Sequence, residues 1–116
     1  MNFLPLEKLE QLEEIKKSES YSVIFKDNIN CPISRRARTD LENQGEPVAN
    51  LAQVYKVDLF GFPQISKAVT ESFSITHESP QVLLIKNGKC IYNASHYDIS
   101  STEIEEEIKF ISNGQP

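Results

Sequence analysis

The chain is poor in the residues on which several classes of small protein depend. Its 116 residues contain two cysteines, no tryptophan, one methionine and four glycines. Basic residues are also outnumbered, since 12 Lys and Arg stand against 17 Asp and Glu and leave a net charge of −5. A general nucleic-acid binder needs a face of clustered positive charge, so this composition argues against that class.

Long apolar runs are missing as well. The run at 82–85 is among the longest, and it falls far short of the ~18 residues that a membrane span requires. The first 17 residues lack the basic, apolar and small-residue regions of a secretory leader. We therefore expect a cytoplasmic monomer without membrane contact, folded as a single domain over residues 1–116 that buries roughly two-thirds of its unfolded surface.

The two cysteines, Cys31 and Cys90, match no disulfide framework and no spacing of metal ligands. In a reducing compartment each is expected to be a free thiol. The inventory of two thiols and two histidines would allow a metal site, but no ligand spacing supports one. We accordingly expect no bound metal and no tightly bound cofactor.

The spacing of apolar residues predicts one α/β unit in the order helix, strand, helix, strand, helix, strand, strand, helix. The predicted elements are an N-terminal helix opened by Pro5, a strand over 21–25, a helix from Pro32 to Gly45, a strand over 51–59, a helix after 61–63, a hairpin within 79–94 and a helix opened by Ser100. Asn87-Gly88 supplies the positive φ angles of a tight turn, and Ser100 and Glu103 form a reciprocal helix cap. A mixed four-stranded sheet covered by helices accommodates this order.

Cys31 stands at the start of the predicted second helix. Free backbone N–H groups and the positive end of the helix dipole stabilise a thiolate at such a position. Arg35 lies on the same helical face, and Arg36 and Arg38 add positive potential. These residues indicate a reactive cysteine, but they fit equally a small buried cysteine at a strand-to-helix turn beside a solvated basic face.

Ser34 occupies the position that would complete a Cys-x-x-Cys pair, and a serine cannot close a disulfide. A mixed disulfide on Cys31 must therefore be resolved by another thiol. Ser34 is also compatible with a plain residue at a helix start. Cys90 falls in the second strand of the hairpin, where the favoured interpretation is a packed strand residue, because a resolving role would require that strand to approach Cys31.

A Cys-Pro-x-Ser at a strand-to-helix junction, with a proline immediately before a late strand, resembles the thioredoxin fold. Within that fold the chain resembles the monothiol bacilliredoxin family of the bacillithiol system. The matching segments, in the same order and spacing over most of the chain, are Cys31-Pro32-Ile33-Ser34, His77-Glu78-Ser79-Pro80-Gln81, Lys86-Asn87-Gly88-Lys89 and Ser95-His96-Tyr97. The resemblance implies an α/β thioredoxin-like fold with an N-terminal helix and a four-stranded mixed sheet flanked by helices, in which Pro80 is cis and faces the active cysteine.

The function that this resemblance implies is thiol–disulfide exchange with Cys31 as the nucleophile. The reaction would remove bacillithiol, or a similar low-molecular-weight thiol, from mixed disulfides on client proteins. Bacillithiol is then the thiol co-substrate, and bacillithiolated client proteins are the partners. The residues expected to support Cys31 are Pro32, Ile33, Ser34 and Arg35, and those expected to bind the substrate are Ser79, Pro80, His77 and Glu78. For His77 an exposed loop histidine is an equal alternative.

The chain departs from the family just before the cysteine. The family often has Lys-His-Ser ahead of its Cys-Pro-Ile-Ser, whereas this chain has Lys26-Asp27-Asn28. A carboxylate near a thiol opposes formation of the thiolate. Asp27 is therefore expected to weaken the activation of Cys31, and the arginines behind it are expected to compensate.

Other functions remain open at this point. A non-enzymatic thioredoxin-like adaptor, or a redox sensor whose Cys31 is only capped under oxidative stress, would show the same motifs. A monothiol glutaredoxin-like protein is a further alternative, although Pro32 removes a backbone N–H beside the sulfur and disfavours use of an iron–sulfur cluster or glutathione. The anion loop of an arsenate reductase or small phosphatase needs Cys-x5-Arg, and position 37 is alanine.

Overall fold

The computed structural model describes residues 1–114. Its helices and strands, in chain order, are β1 (Leu4–Pro5), α1 (Leu9–Lys17), β2 (Ser22–Asp27), α2 (Pro32–Gln44), α3 (Glu46–Ala49), β3 (Gln53–Asp58), α4 (Pro63–Phe73), β4 (Gln81–Lys86), β5 (Lys89–Ser95) and α5 (Ser101–Ser112), with a 3-10 turn at His96–Asp98 before α5. The strands form one five-stranded sheet in the order β1-β3-β2-β4-β5. The arrangement is the mixed α/β sheet that the sequence predicts.

The directions of the strands bring three of their ends together. β1, β2 and β3 run parallel, β4 is antiparallel to β2, and β5 is antiparallel to β4. Asp27 at the end of β2 pairs with Asp58 at the end of β3, and Lys26 pairs with Gln81 at the start of β4. These strand termini define one end of the sheet, termed the Cys31 end because the chain leaves β2 there to reach Cys31.

β2 is the central strand and is buried on both faces. Phe25 packs in the apolar cluster formed with α2 and α5, and Ile24 packs in the cluster formed with α1 and α4. Successive residues of a strand point to opposite faces, so Lys26 follows Ile24 towards α4 and Asp27 follows Phe25 towards α2. Two charged residues are thus carried into different layers of the fold.

The N-terminal segment differs from the prediction. Leu4 and Pro5 form the edge strand β1 beside β3, so the sheet has five strands instead of four. Pro5 has no N–H to donate, and an edge position tolerates that loss. The helix begins only at Leu9, because the Gln11 side chain binds the backbone ahead of it: Oε1 accepts from the N–H of Lys8 at 2.9 Å, and Nε2 donates to the carbonyl of Pro5 at 2.9 Å.

The predicted bounds of two strands also need correction at the Cys31 end. β2 continues two residues beyond Phe25, because Lys26 and Asp27 extend its pairing with β3. β3 is shorter than the predicted 51–59 and covers Gln53–Asp58. The extension of β2 matters for function, since it buries both charged residues within a few positions of the cysteine.

The hairpin and the start of the last helix are confirmed. Asn87 and Gly88 have φ angles of 52° and 76° and form the turn between β4 and β5. The Ser100 hydroxyl accepts from the backbone N–H of Glu103 at 3.3 Å. The Glu103 carboxylate accepts from the Tyr92 hydroxyl at 3.2 Å, so its side chain contacts β5 instead of forming the predicted return bond.

Residues 1–114 contain neither a membrane-spanning helix nor a cluster of metal ligands. No helix there is both long and apolar enough to cross a membrane. No group of three or more His, Cys, Asp or Glu side chains in the same range is arranged to hold a metal ion.

Candidate active site

Cys31 is the N-cap of α2, as predicted. Its backbone is extended, with φ −103° and ψ 125°, and Pro32 opens the helix directly after it. Its N–H donates to the carbonyl of Asn28 at 3.0 Å, and its carbonyl accepts from the N–H of Arg35 at 3.0 Å. Cys31 is partly exposed and its thiol is free. Cys31 is thus a partly exposed residue at a helix N-terminus.

The segment before β4 lies at the same end of the sheet. The Ser79–Pro80 peptide bond is cis, and Pro80 is buried. Pro80 directly precedes Gln81, which pairs with Lys26 of β2. The carbonyl of Pro80 accepts from the N–H of His96 at 3.0 Å. Segments that are far apart in the sequence are therefore assembled around the Cys31 end.

A polar border surrounds Pro80. The buried hydroxyl oxygen of Ser79 has no hydrogen-bond partner within residues 1–114. Buried polar atoms are nearly always paired, so an unpaired one needs a reason. The neighbouring Glu78 carboxylate lies 3.5 Å from Nε2 of His96, and both side chains are about half exposed. Glu78 and His96 thus form the exposed part of this border, and the Ser79 hydroxyl forms its buried part.

Asp27 is 1% exposed and faces α2. Its Oδ1 accepts from the Ser34 hydroxyl at 2.8 Å and from Nη1 of Arg38 at 2.6 Å. The Ser34 oxygen accepts from the backbone N–H of Asn28 at 2.8 Å. Ser34 is therefore more than a residue that prevents a disulfide, because it ties the loop before Cys31 to both β2 and α2. Arg38 balances the Asp27 carboxylate, which corrects the interpretation that Arg38 adds to the potential at the thiol.

The other two arginines at the start of α2 stay on the surface. Arg35 is exposed, and the Arg36 guanidinium lies 5.5 Å from the centre of the Tyr97 ring, a cation–π distance. Ile33 and Arg36 line a small cavity of about 210 Å³ together with Tyr97. Arg35 and Arg36 therefore remain free of the buried network that holds Arg38.

The site contains a buried lysine that the sequence reasoning missed. Lys26 is 0% exposed and faces α4. Its Nζ donates to Oγ1 of Thr70 at 2.7 Å and lies 3.1 Å from Nδ1 of His77. Burial lowers the pKa of Lys26 to about 8, and the negative charge of Glu78 offsets part of that effect. Its burial could have been predicted from the sequence, because Lys26 directly follows the apolar run 21–25 at a position where strand alternation points the side chain inward.

His77 joins the site through this lysine. Its side chain is exposed at the surface, while Nδ1 faces Lys26. Partial burial and then the charge of Lys26 lower the pKa of His77 below its ordinary value, and Glu78 offsets part of the decrease. The neutral imidazole is therefore the main form of His77 at neutral pH.

Cys90 lies at the opposite end of the sheet. It stands five residues before Ser95, which pairs with Gln81 at the Cys31 end. Such a stretch of strand spans about 17 Å, whereas the Cα atoms of a disulfide are no more than ~7 Å apart. Burial raises the pKa of the Cys90 thiol, which donates to the carbonyl of Tyr92 at 3.3 Å. Cys90 is a packed strand residue and is remote from Cys31.

Several solved structures share this architecture. They include a protein described by its thioredoxin fold (TM-score 0.78, 23% identity, 91% of this chain and 92% of that chain covered). Thioredoxin from Trypanosoma brucei brucei is similar as well (TM-score 0.77, 12% identity, 97% and 92% covered). So is the oxidized form of mitochondrial thioredoxin 3 from Saccharomyces cerevisiae (TM-score 0.71, 20% identity, 92% and 93% covered). These similarities confirm the predicted thioredoxin-like fold.

The fold and the free thiol at a helix N-terminus place the chain in the thioredoxin-like class, with one cysteine at the start of α2. The model of the family described as "Monothiol bacilliredoxin BrxC" matches residues 4–104. The chain belongs to the monothiol bacilliredoxin family, which confirms the resemblance found in its motifs. Proteins and thiols are accordingly the partners of its redox chemistry.

Proposed function

We propose that this chain is a monothiol disulfide reductase that removes bacillithiol, or a similar low-molecular-weight thiol, from protein mixed disulfides. The observation that carries the proposal is the separation of the two thiols. Cys31 stands partly exposed at the N-cap of α2, at the same end of the sheet as Pro80, whereas Cys90 is packed at the other end. This difference supports Cys31, and not Cys90, as the thiol that exchanges with a substrate.

The proposed reaction exchanges one disulfide for another. The Cys31 thiolate attacks the sulfur of the low-molecular-weight thiol, a new S–S bond forms between them, and the client leaves as a thiolate that takes a proton from water. Ser34 has no sulfur and Cys90 is remote, so the disulfide on Cys31 is not resolved within the chain. A second low-molecular-weight thiolate from solution then attacks it, restores Cys31 and forms a symmetrical disulfide.

The neighbours of Cys31 have distinct roles in this proposal. Pro32, Ile33, Ser34 and Arg35 support the nucleophile, and Ser79, Pro80, His77 and Glu78 bind the substrate. The client segment pairs with the backbone of Ser79 beside Pro80, in the segment that precedes β4 at the Cys31 end of the sheet. Bacillithiol acts as co-substrate, with no tightly bound cofactor, and the protein acts as a cytoplasmic monomer.

Cysteine variants test the proposal directly. A client protein with one bacillithiolated cysteine is incubated with each variant and with free bacillithiol, and the loss of the cap is followed by intact mass. Cys31→Ser is expected to abolish the reduction, because the nucleophile is gone, whereas Cys90→Ser is expected to retain most of it. Equal rates for the wild type and Cys31→Ser would contradict the proposal and favour the non-enzymatic adaptor.

The identity of the thiol is tested by trapping. The protein is incubated with the disulfides of bacillithiol, glutathione and coenzyme A, and the modified cysteine is located by peptide mass. Adduct formation is expected at Cys31, and fastest with bacillithiol disulfide. Modification confined to Cys90 would overturn the assignment of the nucleophile, and a faster reaction with another disulfide would reassign the co-substrate.

A further inference from the structure

Lys26 determines whether the side chains of Thr70 and His77 can act as hydrogen-bond donors or acceptors toward a ligand. An ammonium group only donates, so its contacts with Oγ1 of Thr70 and Nδ1 of His77 each use an acceptor. The neutral His77 ring must then carry its proton on Nε2. Thr70 keeps its hydroxyl hydrogen for another partner. Both side chains are thus left as hydrogen-bond donors.

Thr70 and His77 both belong to the lining of one cavity. It measures about 350 Å³, and its lining residues are Leu59, Pro63, Ser66, Lys67, Thr70 and His77. The N–H of Leu59 donates to the carbonyl of Asp27 at 3.0 Å, so the cavity lies beside the strand that leads to Cys31. Lys67 adds an exposed ammonium group to the two neutral donors. The lining is mostly apolar, and it includes one cationic residue, Lys67, and the donor-bearing residues Ser66, Thr70 and His77.

The positive charge beside this cavity is not neutralised by a close carboxylate. Lys26 forms no salt bridge in the described part of the chain. Glu78 is the acidic residue whose charge reaches Lys26, and its carboxylate lies towards His96, 3.5 Å from Nε2. An acidic ligand would supply the negative charge that Lys26 lacks among the described residues.

The second cavity near Cys31, beside Tyr97, is less suited to an acidic ligand. Asp40 is part of its lining, and this carboxylate already accepts from the backbone N–H of Ser101 at 2.9 Å. The Arg36 guanidinium is placed over the Tyr97 ring. A carboxylate entering there would meet Asp40, whereas the cavity along α4 has no acidic residue in its lining.

We infer that the cavity lined by Lys67, Thr70 and His77 binds a carboxylate of the low-molecular-weight thiol, and that Lys26 is a positioning residue that orients Thr70 and His77 as donors. A carboxylate offers only acceptors, which complements this donor set. The inference rests on the proposed function, because it places the thiol half of the mixed disulfide on the α4 side of Cys31.

Two matched mixed disulfides test the subsite. A client with one cysteine is capped either with 2-mercaptosuccinate, which carries carboxylates, or with 2-mercaptoethanol, which carries none. Lys67→Met and Thr70→Val are each expected to lower kcat/KM for the mercaptosuccinate cap about tenfold through KM, as for loss of one charge-assisted hydrogen bond. The mercaptoethanol cap should change less than about twofold. Lys17→Met removes an exposed charge from α1 and should leave the ratio of the two caps unchanged.

Equal losses on both caps, or no preference of the wild type for the acidic cap, would overturn the inference. If the wild type reduces neither client, the proposed function fails, and binding decides the subsite separately. The reduced wild-type protein is then titrated with 2-mercaptosuccinate and followed by NMR. Shifts are expected at Lys67, Thr70 and His77, and their absence would overturn the subsite.

The positioning role of Lys26 has a readout independent of activity. The ¹⁵N shifts of the His77 ring are expected to report the Nε2–H tautomer in the wild type. Lys26→Met should give a mixture of tautomers, because Nδ1 loses the donor that holds it as an acceptor. A ring that is mainly Nδ1–H in the wild type, or unchanged in Lys26→Met, would contradict this role.

Discussion

Lys26 and Asp27 are adjacent in β2 and equally buried, but within residues 1–114 only Asp27 has a partner of opposite charge within hydrogen-bond distance. Asp27, 1% exposed, faces α2 and meets a full positive charge on Arg38 together with the Ser34 hydroxyl. Lys26, 0% exposed, faces α4 and meets the uncharged groups of Thr70 and His77. On the α2 face the buried charge is paired within the protein, and we term Asp27, Ser34 and Arg38 the closed network. On the α4 face the buried charge has no ion-pair partner among the described residues, and we term Lys26, Thr70 and His77 the open network.

The difference suggests two reasons for burying a charged residue. Asp27 stabilises the fold, whereas Lys26 serves a function. Burying a charge is costly unless it is paired, and the Asp27 network meets that condition while joining β2 to the start of α2. Lys26 does not meet it, and its lowered pKa reflects the cost. Residues that break a local rule of stability tend to lie at functional sites. This contrast supports our inference that a ligand binds on the α4 side of the Cys31 end.

Breaking the closed network should have the largest effect on stability. Arg38→Met leaves the buried Asp27 carboxylate without its cation, and removal of one partner from a buried pair costs about 3–5 kcal/mol. The free energy of unfolding, measured by urea denaturation at pH 7, should fall by an amount near the lower value because Arg38 keeps some exposure. Arg35→Met, on the exposed side of the same helix, is the matched control and should change it by less than about 0.5 kcal/mol. Equal losses in the two variants would contradict the assignment of Arg38 to Asp27.

The open network should respond to pH instead. The pKa of Lys26 is about 8 in the folded protein against an ordinary 10.5, so the unfolded chain binds more protons between these values. Stability contributed by Lys26 therefore rises as pH increases from about 8 towards 10.5, by an upper limit of about 3 kcal/mol. Between pH 7 and pH 10, the free energy of unfolding of the wild type should increase relative to that of Lys26→Met.

A constant difference between wild type and Lys26→Met across this range would show that Lys26 has an ordinary pKa. Subtracting the variant removes the contributions of the tyrosines, which titrate in both proteins. Lys17→Met carries the same substitution at an exposed site. Its difference from the wild type should stay flat over the same pH interval.

The features that could be predicted from the sequence are those set by residues close together in the chain. A proline after Cys31 sets the start of α2, and Asn87-Gly88 sets the hairpin turn, because each acts on its own backbone. The motif around Pro80 was recognised through family resemblance. These features were enough to predict the fold and to place the cysteine at the helix N-terminus.

What could not be predicted depends on contacts between distant segments. The partners of Lys26 lie 44 and 51 residues further along the chain, and no local pattern encodes such a contact. β1 was missed for the same reason, since Leu4 and Pro5 become a strand only beside β3. The prediction ended β2 at Phe25 because charged residues are seldom buried, and the exceptions are set by tertiary structure.

Removing the weak counterion of the open network should have the smallest effect. Glu78 raises the pKa of both Lys26 and His77, although its side chain is half exposed. Glu78→Gln should therefore lower the pKa of both groups, measured by NMR titration, while changing the free energy of unfolding by less than about 1 kcal/mol, as for exposed pairs. Glu71→Gln removes an exposed carboxylate of α4 and should leave both titrations unchanged. A loss of stability as large as that of Arg38→Met would make Glu78 a true counterion of Lys26, and the two faces of β2 would then be alike.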